Sequence, residues 1–365
     1  MAKRSQMQFR GTGSRFTASW EIGPDDKGIA LPAQVALEAL PASLPLFHAD
    51  YERRHPLAAY NVSISMVSAR GKTVCDAVAS AFPVGAGKTN KSAAIGVLEA
   101  QDAFLDSLIE HLEDCKGVLL CFSPKGENPH KAVIEAYERG VQPYRDHVGL
   151  LVNHIKHKQG RLCFTEMRSQ RVVVPGYWLE QVKAGGEVGP HDQLHRSGHT
   201  AFSFFRDLRL HAVQVVAVST NLARGVEAIT LQPSNATRAS QDPGILSFLQ
   251  AVSALPAFVF PDEVVDPWPL VSAPKHRGRH SLRIRVECPS AGTPLSFSRG
   301  EFSSTARGDG VTRAFQFPYL GKKGWEESAE RNPQMRGIIT VPKDESATHS
   351  IAPPHPARTD SEKGV

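Results

Sequence analysis

Phe204-Phe205-Arg206-Asp207-Leu208-Arg209-Leu210-His211 opens the stretch on which the fold turns. Read on to Ile229, apolar residues recur three and four positions apart: Phe205, Leu208, Ala212, Val215, Leu222, Val226 and Ile229, with Ser219 as the polar interruption. That spacing predicts a helix from near Thr200 to Ile229 with one buried seam. Upstream, Lys91 to Phe122 has the same period through Leu98, Leu105, Leu108, Leu112, Cys115 and Leu119, and only Gln101 is polar on that seam. Glu99, Asp102, Asp106, Glu110 and Glu113 line another side, either a solvated face or one that pairs with cations on a neighbouring helix. Between these two helices, Val133, Ile134 and Tyr137, then Tyr144, Val148, Leu151 and Ile155, predict a third. It is entered at Asn128-Pro129 with proline at its first position, kinked or restarted at Pro143, and closed by Gly160.

Outward from these three helices the pattern changes to period two. Arg161–Arg168 and Arg171–Val174 have strand composition, with Ser169-Gln170 as a hairpin tip and Pro175-Gly176 as loop. Residues 84–230 therefore read as an antiparallel helical bundle with a β-hairpin insertion at about 161–179. Residues 1–83 read as a small N-terminal α+β element: strands at Ser14–Ile22 and Tyr60–Val67 around a short helix near Gln34–Leu40. Residues 231–342 are proline-rich and β, with a short helix at Ile245–Leu255 and strands at Leu282–Cys288 and Thr312–Tyr319. Residues 343–365 read as a disordered tail. The fold class is mainly α with peripheral β elements, α+β overall.

Composition excludes several classes. Of 365 residues, 41% are hydrophobic and 22% charged, so the chain can fill a core, and no run of eighteen apolar residues predicts a membrane span. Five cysteines (Cys75, Cys115, Cys121, Cys163, Cys288) form no C-x-x-C pair and read as free thiols of a reducing, cytoplasmic compartment. A net charge of +5 permits a phosphate-bearing partner without demanding one. Val84-Gly85-Ala86-Gly87-Lys88-Thr89 ends like a phosphate-binding loop, but Phe82 stands where that motif needs glycine.

The chemistry-bearing residues gather on the helices. Asp207 and His211, four apart on one helix, can touch, and a carboxylate beside an imidazole suits a general base. Arg206 or Arg209 could then steady negative charge on a phosphate. The structural alternative is that Asp207 bridges neighbouring cations while His211 closes a buried polar contact. Asn153, His154, Lys156 and His157 could line the same cleft, or simply be cations favoured at a helix C-terminus. His191, His195 and His199 recur at intervals of four, but Ser197-Gly198 breaks a continuous helix and no H-E-x-x-H motif accompanies them, so no metal is expected. Lys275-His276-Arg277-Gly278-Arg279-His280 is the densest basic run: a phosphate-tracking segment or a solvated approach to an edge strand. Tyr177, Trp178 and Trp268 read as core anchors.

Arg206 followed by a polar residue, with His211 five positions on, resembles the R-x4-6-H motif of HEPN-domain proteins, and Asn153 to His157 (N-x-x-K-H) is similar to a variant of it. The resemblance spans residues 90–230. It implies an antiparallel helical bundle, often dimeric, and a metal-independent ribonuclease of toxin–antitoxin or phage-defence type that needs no cofactor. Arg206 and His211 would be its catalytic pair, Asp207 the polar neighbour, and Arg209, Asn153, His154, Lys156 and His157 substrate-binding. The implied partners are RNA, a second copy of the chain, and an antitoxin or other protein. The alternative is a non-catalytic HEPN-like module that binds or senses nucleotide, RNA or a protein.

Overall fold

The computed structural model describes residues 16–22, 28–83, 91–158, 160–168, 173–182, 188–195, 201–233, 241–256, 259–260, 263, 268–272, 275–276, 279–287, 301–308 and 311–314. Its hub is the helix predicted from the opening stretch, Phe204–Thr230 (α5). Only Arg224 and Ala228 on it are exposed, so its neighbours surround it almost completely. A helix so enclosed must be apolar around most of its circumference, as the dense Val, Ala, Leu and Phe content here provides. It is flanked by Pro32–Glu38 (α1), Lys91–Leu120 (α3), Lys131–Lys158 (α4), Pro243–Ala254 (α6), Val173–Val182 (β3) and Trp268–Ser272 (β6), while Pro56–Ala81 (α2) packs on α3 and α6.

The predicted strand at Tyr60–Val67 is instead part of α2, so among the described residues there are four long helices where the sequence predicts three. Tyr60-Asn61-Val62-Ser63-Ile64 alternates, but Tyr60, Ile64, Val67, Val74 and Val78 also repeat at helical spacing, and all five are buried. The helical period is sustained over 26 residues and Pro56 occupies the first turn, so the longer pattern wins. Likewise α4 runs unbroken through Pro143, whose exposed ring costs one backbone hydrogen bond without restarting the helix. It begins at Lys131, two residues after Pro129.

The long helices alternate in direction. Ser63 meets His111 and Arg70 donates to the Ala103 carbonyl (2.8 Å), so α2 and α3 are antiparallel. Lys116–Glu138 (2.5 Å), Arg145–Glu113 (2.6 Å) and Lys156–Asp106 (3.0 Å) ladder α3 to α4 in opposite senses, so the acidic side of α3 does pair with cations of its neighbour. Tyr144 opposite His211 and Gly140 opposite Asn221 make α4 and α5 antiparallel too. Phe104, Leu105, Leu108, Val148, Leu151, Phe205, Leu208 and Ala212 fill the space between them.

Two antiparallel sheets flank the helices. Leu162–Arg168 (β2) pairs with β3 in a six-stranded sheet that also holds Val188–Pro190 (β4), Phe202–Ser203 (β5), Glu301–Gly308 (β9) and Val311–Ala314 (β10). Phe16–Ile22 (β1), β6, Lys275–His276 (β7) and Arg279–Glu287 (β8) form the other, with β1 and β6 on either side of β8. The two alternating stretches thus meet: Phe16–Ile22 pairs with His280–Val286 across the length of the chain. The described residues are mostly helical, with antiparallel sheet, in an α+β arrangement. Among the described residues no helix is long and apolar enough to cross a membrane. Val84–Thr89, Ser169-Gln170, His199, residues 315–319 and 343–365 lie outside the described residues.

Pro175-Gly176 is not loop but the middle of β3, opposite Glu166 and Thr165. A side chain on Gly176 would sit 2.4 Å from the Phe202 carbonyl oxygen and 2.4 Å from the Phe260 ring, so the strand can lie there only as glycine. Gly176→Ala should lower stability by about 2 kcal/mol or more, read as a fall in the urea midpoint at unchanged slope.

Candidate functional site

Asp207 enters the core one turn into α5, just past Ser203, which precedes the helix and makes no side-chain capping bond to it. The Ser203 N–H (2.7 Å) and hydroxyl both donate to the buried Glu263 carboxylate, which also accepts the Phe260 N–H (2.9 Å). That anchor sets where the first turn of α5 begins, and so where Asp207 and His211 lie. One oxygen of Asp207, Oδ2, accepts from the Tyr177 hydroxyl of β3 (2.7 Å) and from Gln101 Nε2 of α3 (3.0 Å). His211 Nε2 approaches that same oxygen at 3.2 Å. The approach is off the line of a good hydrogen bond, so proximity more than direction defines the contact. On its other side the imidazole meets the Tyr144 hydroxyl of α4 at 2.9 Å from Nδ1, and the Phe104 ring lies edge-on at 5.5 Å.

The electrostatics follow from burial. Asp207 is 2% exposed and His211 0%. Burial alone would push the Asp207 carboxyl up, but the His211 imidazole beside it, the Tyr177 hydroxyl and nearby His147 outweigh that and hold it below its ordinary value. Burial and the Asp207 charge raise the Tyr144 and Tyr177 phenols well above 10, so both stay protonated. Tyr177 therefore acts as a donor at every physiological pH. Burial lowers His147, against the pull of Asp207 and with His211 and Arg206 adding to the fall.

The structure joins Asp207 to His211 and separates the rest of the sequence-predicted set. Arg206 is only partly exposed, and its charge reaches His147. Arg209, expected to bind substrate, is 5% exposed and serves the fold instead. Its guanidinium donates to the carbonyls of Phe205 (2.6 Å), Pro256 (3.0 Å) and Leu255 (2.5 Å), closing the C-terminal end of α6. Burial draws it down to about 10, still charged at neutral pH. Asn153, Lys156 and His157 are exposed on the last turns of α4, and Lys156 pairs with Asp106. Asn153 lies nine residues beyond Tyr144, about 14 Å along the helix, so these residues share no cleft with His211. His154 instead meets the His191 ring edge-on at 4.6 Å.

Two of the loop histidines, His191 and His195, lie within the described residues. His191 Nδ1 accepts from the Gln193 N–H (3.3 Å) and His195 Nε2 from the Leu179 N–H (2.9 Å), which occupies the lone pair each ring would offer a metal. Among the described residues no group of three His, Cys, Asp or Glu side chains is placed to hold one. Cys75, Cys115, Cys121 and Cys163 are buried free thiols.

Tyr144, Tyr177, His147 and Glu263 escape sequence reasoning because each reads as an ordinary core or loop residue. Two of the partners do leave a trace, as the polar interruptions of apolar seams. Gln101 proves to be the α3 donor to Asp207, and Ser219 accepts from Tyr60 (2.8 Å) and from the Ala33 N–H (3.0 Å). A second buried polar cluster shows none: Ser63 and His111 meet at 2.9 Å, with Cys115 3.6 Å from the same ring.

The sequence matches no protein-family model, no curated protein and no solved structure.

Asp207→Ala would strand the Tyr177 hydroxyl, the Gln101 amide and His211 in the core. A loss of about 3–5 kcal/mol is expected by chemical denaturation. His111 supplies a pH test. Burial lowers it to about 4 from an unfolded value near 6.5, so its contribution is whole above about 6.5 and is lost as the pH falls toward 4. Wild type should lose roughly 3 kcal/mol over that interval through this group. His111→Gln should be less stable at pH 7 and flatter on acidification, as followed by thermal melts.

Proposed function

We propose that this chain is a non-catalytic binding or sensing module, HEPN-like in its helical bundle, whose Asp207–His211 pair is a structural polar core. Its ligand is an anion of the RNA or nucleotide class, met by the exposed end of α4 at Asn153, Lys156 and His157. One observation carries the reading: His211 has no exposed surface, and both its ring nitrogens face protein groups, Tyr144 and Asp207. A general base must come within hydrogen-bond reach of the hydroxyl it deprotonates, and this imidazole meets only its own core. The net charge of +5 and the cations ending α4 supply the attraction for phosphate.

The second reading is the metal-independent ribonuclease, with His211 as general base or acid, Arg206 on the phosphate and Asp207 as orienter. The 3.2 Å approach of Asp207 to His211 and the partial exposure of Arg206 favour it. Cleavage by this route requires α4 to draw away from α5 so that RNA displaces Tyr144.

The two readings part on one experiment: RNA cleavage in EDTA by wild type and by His211→Gln, with circular dichroism on both. The binding module cuts in neither form. Fluorescence anisotropy should show a short single-stranded RNA bound by wild type, about tenfold more weakly by Lys156→Glu/His157→Glu, and more weakly as salt rises. EDTA-resistant cleavage that disappears in a folded His211→Gln would sink the binding-only reading and establish the ribonuclease.

A further inference from the structure

Residues 188–195 run along the edge of β3 and rest on α4 through histidines. β4 pairs with β3, with Pro190 opposite Glu180. Just beyond, the His191 N–H donates to the Leu179 carbonyl (2.8 Å) and His195 Nε2 accepts the Leu179 N–H (2.9 Å), so one residue of β3 holds both histidines. The His195 N–H also donates to the His191 carbonyl (2.8 Å). Toward α4 the contacts are between rings. His191 meets His154 at 4.6 Å and 89°, and the Phe202 ring of β5 meets both His195 (5.3 Å) and His147 of α4 (5.6 Å). His147 and His154 are seven residues apart, so two turns of α4 present them on one side.

These contacts suit neutral rings. His191 is buried, and its Nδ1 accepts the Gln193 N–H (3.3 Å). His154 Nε2 and His147 Nε2 are shielded from water, with no hydrogen-bond partner among the described residues. Protonating His154 would add a charge and leave that nitrogen without an acceptor. The charged groups around the pair do not compensate. His157 and Lys158 share the end of α4, Arg161 enters β2, and Lys156 is engaged by Asp106. The carbonyl end of α4 favours a cation, but these residues already supply it. Of the acids, Glu180 of β3 is buried and accepts the Cys163 thiol (3.6 Å), while Asp192 lies exposed on the loop. From α5, Arg206, Asp207 and His211 act on His147. Burial, then His191 and Lys158, hold His154 below its ordinary value, and burial lowers His191 against the pull of Asp192. Whichever ring takes the first proton, the second proton must join it 4.6 Å away.

We infer that His154 and His191 form a pH-sensitive catch, which holds residues 188–195 on α4 while both rings are neutral and releases them when both are charged. The sign follows from the direction of the shifts. A histidine held below its solvent value contributes stability that is whole above about 6.5 and is lost as the pH falls. Release lifts His195 from Phe202, and so uncovers the ring on which His147, a charge neighbour of Asp207, rests. The inference stands apart from the ligand reading, and its test reads amide exchange rather than RNA.

Hydrogen exchange of the full chain, followed by mass spectrometry and corrected for the chemical rate, should show residues 188–195 losing roughly tenfold in protection between pH 7.5 and pH 5.5. Peptides of α3 and α5 should keep theirs, since His111 stays neutral down to about 4. His154→Gln and His191→Gln each remove one titrating ring. Each should cut the pH response to less than about threefold whatever its protection at pH 7.5, which separates a lost charge from a lost contact. His157→Gln, at the exposed end of α4, should leave the response whole. Unchanged protection in the wild-type segment overturns the inference, as does a response that survives both glutamine variants. A loss that spreads to α3 and α5 is acid unfolding and overturns it equally.

Discussion

Everything in this structure answers to one constraint: α5 is enclosed, yet it carries Asp207, Arg209, His211 and Ser219 on buried positions. An ionised side chain taken out of water without partners costs several kcal/mol, more than most apolar contacts return. Each of these four is therefore met by a different neighbour. Gln101 comes from α3, Tyr144 from α4, Tyr177 from β3, the carbonyls of Leu255 and Pro256 from the end of α6, and Tyr60 and the Ala33 N–H from α2 and α1. Apolar seams tolerate a helix sliding by part of a turn, whereas hydrogen bonds at 2.7–3.0 Å do not. The polar groups thus fix the register that the hydrophobic seams leave open.

The same constraint changes what a carboxylate beside an imidazole means. Asp207 and His211 have the residue types and spacing of a general-base pair, and Asp207 is held ionised, as such a pair needs. What they lack is access. Tyr144 closes one ring nitrogen, Phe104 covers the ring edge, and the proton-rich environment around Asp207 is supplied by Tyr177 and Gln101 rather than by a substrate. Polar networks of this kind stabilise when every member is satisfied, and they perturb pKa values as strongly as active sites do. The ion pairs between α3 and α4 have the opposite character. They are solvated, contribute little energy each, and matter mainly as a ladder that favours the antiparallel arrangement of the two helices.

Sequence alone determined the long helices at Lys91 and Phe204, the mostly helical character and the strands at Ser14 and Leu282, because each is written in a local period that needs no partner to be read. It also determined that Asp207 and His211 touch, since four residues on a helix is a fixed distance. Tertiary structure decided the rest. The Tyr60 segment carried both periods at once, and the helical one, sustained over 26 residues, is the one that packs against α3 and α6. Pro175-Gly176 looked like a turn until the close approach of Phe202 and Phe260 required glycine in mid-strand. Whether Asp207 and His211 form a catalytic cleft or a core lock depended on Tyr144, Tyr177 and Gln101, which lie 30 to 106 residues away in the chain. No local pattern encodes which distant hydroxyl will close a buried carboxylate, because that follows from how α3, α4, α5 and β3 pack at once.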